Sequence, residues 1–438
     1  MTTTLAPAGF TQDTFDAFLA SRNEPGWLTD LRQAAWKRFE SLSLPTTRQE
    51  GWMRTDIRLL RLDHYGLLAD VPHPEELPPR LLAAGVELAG NAVAVNSRPF
   101  AEESDTELKK QGVLFGSLDK LLVEHDALLK PFFERHVVDP FQDKFSALNA
   151  ACWGGGILLY VPKNVRVELP LHALSVLTDG GTDTGKIIAI LESGAEATLL
   201  SETASTAGDA TGLHCGSIEL IVEPGARLRY VNLQNWSNKV WHFAHQRAVV
   251  DREAQLQWTI GALGARLAKV NQHVALVGQD AEAQVNGVMF TQGRQHLTYN
   301  THQHHQAPYC RSDLLYTSAL QDDSRTVWRG MIQVDEAAQR TDAYQRKANL
   351  MLSREARADS IPGLEIEADD VRCTHGSTSG RVDNEQLFYA MAHGYTRGEA
   401  IRMIVAGFFQ QVFDRITIES VHEALGEAIG HRVKNIEE

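Results

Sequence analysis

Phe15, Phe18 and Leu19, and then Leu28, Leu31, Ala35 and Phe39, recur at spacings of three and four. That period brings side chains onto one face of a helix. Pro45 ends the run. NAVAVNS (Asn91 to Ser97) has the pattern of a short strand, and Leu118 to Glu134 returns to helical period. Residues 1–145 are therefore expected to form a mixed but mainly helical region. From about Cys152 the texture changes to short apolar or alternating runs, ILLYV, ATLLSE, IELIV and RLRYVNL, separated by turn residues. Such runs mark β structure.

Four of these segments, LESGAEATLL, VEPGARLRYV, VDREAQLQWT and GQDAEAQVNG, share one shape: an apolar strand end, a polar turn, an alanine, then alternating residues. Their alanines, Ala195, Ala226, Ala254 and Ala281, step by 31, 28 and 27. One rung of that length cannot cover its own apolar face and needs neighbours above and below, which predicts a β-solenoid. A β-sandwich would also space its strands evenly. At none of the four turns before the alanines does the Asn-Gly or Asp-Gly of a sandwich hairpin stand, the one Asn-Gly (Asn286-Gly287) lying after the alternating run, which favours the solenoid.

The chain ends in helical pattern. Thr396 and Glu399 make a capping box, and Ile401, Ile404, Val405, Phe408, Phe409, Val412, Phe413 and Ile416 form one broad apolar stripe. A further helix carrying Ile418, Val421, Leu425 and Ile429 covers only part of it. The stripe is expected to pack on the β core, to dock another protein, or both.

With 43% hydrophobic and 22% charged residues the composition is that of a folded globular chain, and an excess of 56 acidic over 42 basic residues disfavours nucleic acid and anionic lipid as partners. MTTTLAPAGFTQDTFDAF lacks the basic and apolar regions of an export signal. IRMIVAGFF (Ile401 to Phe409) is far shorter than the ~20 residues that cross a bilayer. Cys152, Cys215, Cys310 and Cys373 are spread without a CxxC pair, as expected of free thiols in a reducing cytoplasm.

Candidate chemistry is sparse. GGTDTGKI (Gly180 to Ile187) approaches a phosphate loop, but Ile187 stands where a hydroxyl must reach Mg²⁺ and a strand, not a helix, follows. In YNTHQHHQAPYC (Tyr299 to Cys310), His302 and His304 share one face of a strand, His305 takes the other, and Cys310 lies beyond Pro308. These are good ligand types, or else members of a structural histidine ladder. In CTHGSTSG (Cys373 to Gly380), Cys373 and His375 point the same way from a strand and together offer an incomplete ligand pair for a soft metal ion. The acid pairs Asp322/Asp323 and Asp369/Asp370 read as solvated turns. No GxSxG, HExxH or GxGxxG after a strand is present, so the chain reads as a scaffold and not an enzyme. Two other readings stay open: an exported β-helix enzyme acting on acidic polysaccharide, and a stand-alone metal-binding protein.

The stretch IPGLEIEADDVRCTHGSTSGRVDNEQLFYAMAHGY (Ile361 to Tyr395) resembles the SufB/SufD family of iron-sulfur cluster assembly proteins. HQHHQAPYCRSDLLY, KANLMLSREA and FSALNAACWGGGILLYVPKN support the resemblance, and RQEGWMRTDIRLL extends it loosely toward the N-terminus. SufB-like chains carry glutamates around the matching histidine; Thr374 and Gly376 stand there instead, which resembles the SufD branch. The resemblance implies a right-handed parallel β-helix (146–380) between an N-terminal helical domain (1–145) and a C-terminal helical domain (381–438) that binds the ATPase SufC. It further implies pairing with SufB through the β-helix, with a homodimer open to the isolated chain. His375, with Cys373 beside it, would face a SufB cysteine around iron or a transient iron-sulfur cluster. The whole complex is associated with reduced flavin, for which this sequence carries no motif.

Overall fold

The computed structural model describes residues 9–67, 74–416 and 418–433. The first eight residues of the stretch read for an export signal, and the last five of the region 381–438, lie outside the described residues. From Lys186 to Arg381 successive strands alternate between two sheets. Each strand pairs in parallel with the strand one rung away in its own sheet, such as Arg227–Asn235 with Gln255–Ala262 and Lys239–Val250 with Leu267–Leu276. A sandwich of hairpins would pair consecutive strands antiparallel. The architecture is the expected parallel β-helix with helices at both ends of the chain.

The repeat alanines are the corners of this coil. Ala195, Ala226, Ala254 and Ala281 are fully buried and each immediately precedes a strand of the first sheet, at Glu196, Arg227, Gln255 and Glu282. Those four strand starts stack in register, as do Arg311, Asp342 and Arg372 beyond them. The next corner residue is Cys310, also fully buried. Beyond it the same corner position is taken by the buried Thr341 and then by Val371, so the later rungs accept larger side chains there than alanine.

Inside the coil, side chains from one rung lie on those of the next. Leu199, Tyr230, Trp258 and Val285 form one such column, and the Tyr230 and Trp258 rings stand 5.7 Å apart. Where Trp328 fills the lumen the facing position is Gly330, at which a Cβ would fall 2.2 Å from the indole. The outer faces are covered by helices. Gly26–Ser41 and Lys144–Cys152 pack on the second sheet, where Phe145 stacks on Phe243 at 3.9 Å. On the first sheet, Arg397–Phe413 and Glu419–Val433 bury Ile401, Val405, Phe409, Val421 and Leu425 against Leu233, Val288, Phe290 and Leu315. Thr396 and Glu399 form the predicted capping box. The broad apolar stripe thus lies on the β core.

The two ends of the coil differ. At the N-terminal end the antiparallel strands Arg98–Ser104 and Leu114–Ser117 close the sheets. At the C-terminal end the last strands, Arg357–Ile366 and Arg372–Arg381, each pair on one side only. Pro362 sits in the former, a position tolerated on a sheet edge because proline has no N–H to offer the ladder.

Near that end the lumen turns polar: Gln303, His305, Gln345, Lys347 and Asn349 are all buried. The Lys347 ammonium lies against the Ser318 hydroxyl and the Met289 thioether, and among the described residues no carboxylate pairs with it. Burial pushes its pKa down from 10.5 to about 7. The unfolded chain therefore holds the extra proton between these values, so stability rises with pH across that window, by up to about 1.4 kcal/mol per unit. Lys347→Met removes this linkage. Urea unfolding from about pH 7 to 10 should show the wild-type chain gaining stability relative to the variant, and a constant difference would contradict a desolvated lysine.

Candidate functional site

The last strand of the first sheet, Arg372–Arg381, carries the sequence RCTHGSTSGR and aligns residue by residue with Asp342–Met351. In that preceding rung Ala343, Gln345, Lys347 and Asn349 face the lumen and are buried. Their register partners are Cys373, His375, Ser377 and Ser379, so the two candidate ligands lie on the lumen side of a rung on which, among the described residues, no further strand stacks. Asn349 donates to Ser379 at 3.0 Å, which ties the strand to the rung below. Cys373 is half-buried beside Ile332, Val334 and Ala343, and His375 is exposed. Burial, followed by the neighbouring Asp342 carboxylate, holds the Cys373 thiol above its usual pKa, so a metal must displace its proton. A thiol and an imidazole on one face are borderline-soft donors suited to iron, and as two they leave the shell incomplete.

The histidine patch divides as the strand period requires. His302 and His304 project outward from His296–His305, while His305 points inward, fully buried, with its Nε2 2.8 Å from Ser312 Oγ. Cys310 is a corner residue whose Sγ donates to the Gly278 carbonyl at 3.2 Å, and burial pushes its pKa up to about 11. These four residues therefore do not form one site. The outward pair gains a partner the sequence reading missed: His273, one rung earlier and in register with His302. The rings of His273 and His302 stack at 4.4 Å, those of His302 and His304 at 5.4 Å, and ligand nitrogens of all three lie within 4.8 Å of one another. The signal for His273 was the repeat itself, since a residue one rung upstream of a histidine lies beneath it.

The other motifs are structural. Lys186 of the phosphate-loop-like segment is buried and paired with Glu219 at 2.9 Å, and Lys186–Leu191 is a strand, so no helix N-terminus faces a phosphate. Asp322, Asp323, Asp369 and Asp370 are exposed turn residues, with Asp370 paired to Arg340 at 3.3 Å. They do not converge on a groove, as a polysaccharide-cleaving site would need. All four cysteines are free, with Cys152 and Cys215 buried. Among the described residues no helix is long and apolar enough to cross a membrane.

Comparison with known proteins agrees with this architecture. The family described as "SUF system FeS cluster assembly, SufBD core domain" matches residues 176–408, and "SufBD protein N-terminal region" matches residues 16–173. Among curated relatives, an iron-sulfur cluster assembly SufBD family protein of Staphylococcus haemolyticus is 27% identical over 424 residues, covering 94% of this chain and 90% of the relative. Its counterparts in Staphylococcus saprophyticus and Staphylococcus aureus are 27% and 26% identical over the same length and shares. With the core match spanning more than half the chain, over the rungs that carry Cys373 and His375, the protein belongs to the SufB/SufD family of iron-sulfur cluster assembly proteins.

Proposed function

We propose that the chain is a SufD-type scaffold subunit, not an enzyme, working in the cytoplasm. It pairs through its last rung with a SufB chain, and together they hold iron or a nascent iron-sulfur cluster, the cargo of assembly, at the seam. The observation that carries this reading is the unfinished end of the β-helix. Two ten-residue edges, Arg357–Ile366 and Arg372–Arg381, leave backbone N–H and C=O groups unpaired, with Cys373 and His375 on the lumen side of one of them. A bare edge of this length invites strand addition; Pro362 interrupts one of the two edges, whereas Arg372–Arg381 carries no proline. Leu364 and Ile366 are each 39% exposed on the other edge, which suits a buried seam better than a solvated one. Without a SufB chain the same edges are open to a second copy, which gives the isolated chain a route to a homodimer.

In this reading His375 is the primary ligand and Cys373 its neighbour, and the SufB chain supplies the donors that complete the shell. Thr374 and Gly376, where SufB-like chains carry glutamates, favour the SufD branch. The division at residues 145 and 380 then separates a helical N-terminal domain, the pairing coil and a C-terminal domain that binds SufC. The surface for SufC is the outward side of Asn384–Ala392 and its neighbours, where Phe388 is 75% and Tyr389 67% exposed and Met391, Tyr395 and Met403 lie bare beside them. Only Val382 and Asp383 separate the strand bearing His375 from that helix. A pull on the helix by ATP-driven closure of SufC is thereby delivered to the edge strand, opening the seam to iron and sulfide. Electrons from reduced flavin enter at the level of the whole complex.

Co-expression with SufB and SufC chains of the same organism should give one complex on size exclusion; separate elution of folded partners would sink the proposal. His375→Ala should leave that complex assembled while lowering its bound iron several-fold by elemental analysis. Unchanged iron would remove His375 from the site. Phe388→Asp combined with Tyr389→Asp should release SufC and retain SufB in pull-down, whereas loss of both would mean that the helix serves the coil and not a docking surface.

A further inference from the structure

We propose that His273, His302 and His304 form a second metal site, binding one first-row divalent transition-metal ion on the outer face of the second sheet with one coordination position left open. The site is separate from Cys373 and His375 and does not depend on the scaffold reading. Three observations carry it.

The first is convergence. Ligand nitrogens of the three rings lie within 4.8 Å of one another. An ion with metal–nitrogen bonds of about 2.1 Å needs them at about 3.5 Å, so binding would draw the nitrogens together by about an ångström. The second is unmet valence. Nε2 of His273 and Nε2 of His302 are both buried without a hydrogen-bond partner. Such an atom costs about 1–3 kcal/mol unless something else engages it, and a ladder of stacked rings gives neither nitrogen a partner. The third is a carboxylate behind the third ring: His304 Nε2 lies 2.8 Å from Asp335 Oδ1. Asp335 keeps the proton on Nε2 and the lone pair on Nδ1, the arrangement that commonly orients a metal-bound imidazole. The Gln306 amide, now 3.1 Å from that Nδ1, gives way to the ion.

The surroundings set the ligand class. Neutral imidazoles without thiolates suit iron(II), zinc, cobalt or nickel over magnesium or calcium. His273 and His302 line a cavity of about 290 Å³ to which Arg247 and Arg329 also contribute. Arg329 is neutralised by Glu50 at 2.5 Å, while Arg247 Nε is buried and unpartnered. The open position therefore favours hydroxide or a small anion, and the guanidinium beside it keeps the ion exchangeable. Such a site suits the holding and release of a metal ion better than the bracing of a fold.

The test is anaerobic titration of the chelator-treated full-length chain with Co²⁺, followed by the visible absorption of tetrahedral cobalt. One equivalent should bind, His302→Gln should weaken binding at least about tenfold, and Asp335→Asn by about 10–100-fold. Cys373→Ser combined with His375→Ala should leave the absorption in place. If His302→Gln fails to fold by circular dichroism, Asp335→Asn, at the sheet surface, decides alone. Absence of saturable cobalt binding would overturn the proposal, as would binding unaffected by Asp335→Asn, or a signal abolished by the Cys373/His375 variant.

Discussion

Parallel backbone pairing from rung to rung is the constraint on which the rest of this structure depends. Because every strand hydrogen-bonds to the one a full turn away, each side chain has a fixed neighbour above and below, on the lumen side and on the outside alike. The lumen columns of aliphatic and aromatic residues, the alanine corners and the stacked histidines are all products of that register. The same pairing cannot satisfy the last rung from within the chain. The N-terminal end is closed by strands that turn antiparallel, whereas the strand of Cys373 and His375 is left with a bare edge.

How the helices are deployed follows from what the coil needs. A sheet apolar on both faces must be covered on the outside, and Phe145, Trp36 and Phe39 on one flank and Ile401, Val405 and Phe409 on the other do this. The C-terminal helices lie along the side of the coil, held by Arg415 to Asp313 at 2.6 Å and by Arg432 to Asn235 at 2.5 Å. They flank the rungs and leave the end free. Their core-facing side is spent on the first sheet, so only the opposite side, around Phe388 and Tyr389, remains for a further chain.

Much of this was legible in the sequence, because the β-helix repeats one geometric demand at each corner. Ala195, Ala226, Ala254 and Ala281 gave away the rung length, and the capping box at Thr396 marked a helix start whose local chemistry is self-contained. Less legible was anything that depends on which residues become vertical neighbours. His273 lies in NQHVALV, where it is one more polar side chain after Asn271 and Gln272, and only the register with His302 gives it meaning. Cys310, grouped with the histidines by proximity along the chain, belongs to the corner column instead. The strand Gly90–Val95 was read correctly as a strand, but its place in the first sheet, parallel to Leu171–Leu177, bridges dozens of residues of helix and loop that no local period encodes.

The two histidine-bearing sites obey one geometric rule. Rungs stack about 4.8 Å apart, and residues two apart on a strand share a face, so a compact triangle of donors takes two residues from one strand and one from the strand next to it. His302 and His304 with His273 are such a triangle, completed within the chain because another rung lies beneath. Cys373 and His375 are the same i, i+2 pair on the last strand, where the rung below offers Ala343 and Gln345, which are poor ligands, and the rung above is missing. In the proposed scaffold role the third donor comes from a strand added to that edge. Under that proposal, coordination at the end of the coil would be coupled to docking: the backbone pairing that would seat a partner is also what would bring its side chains within bonding distance of one shared ion.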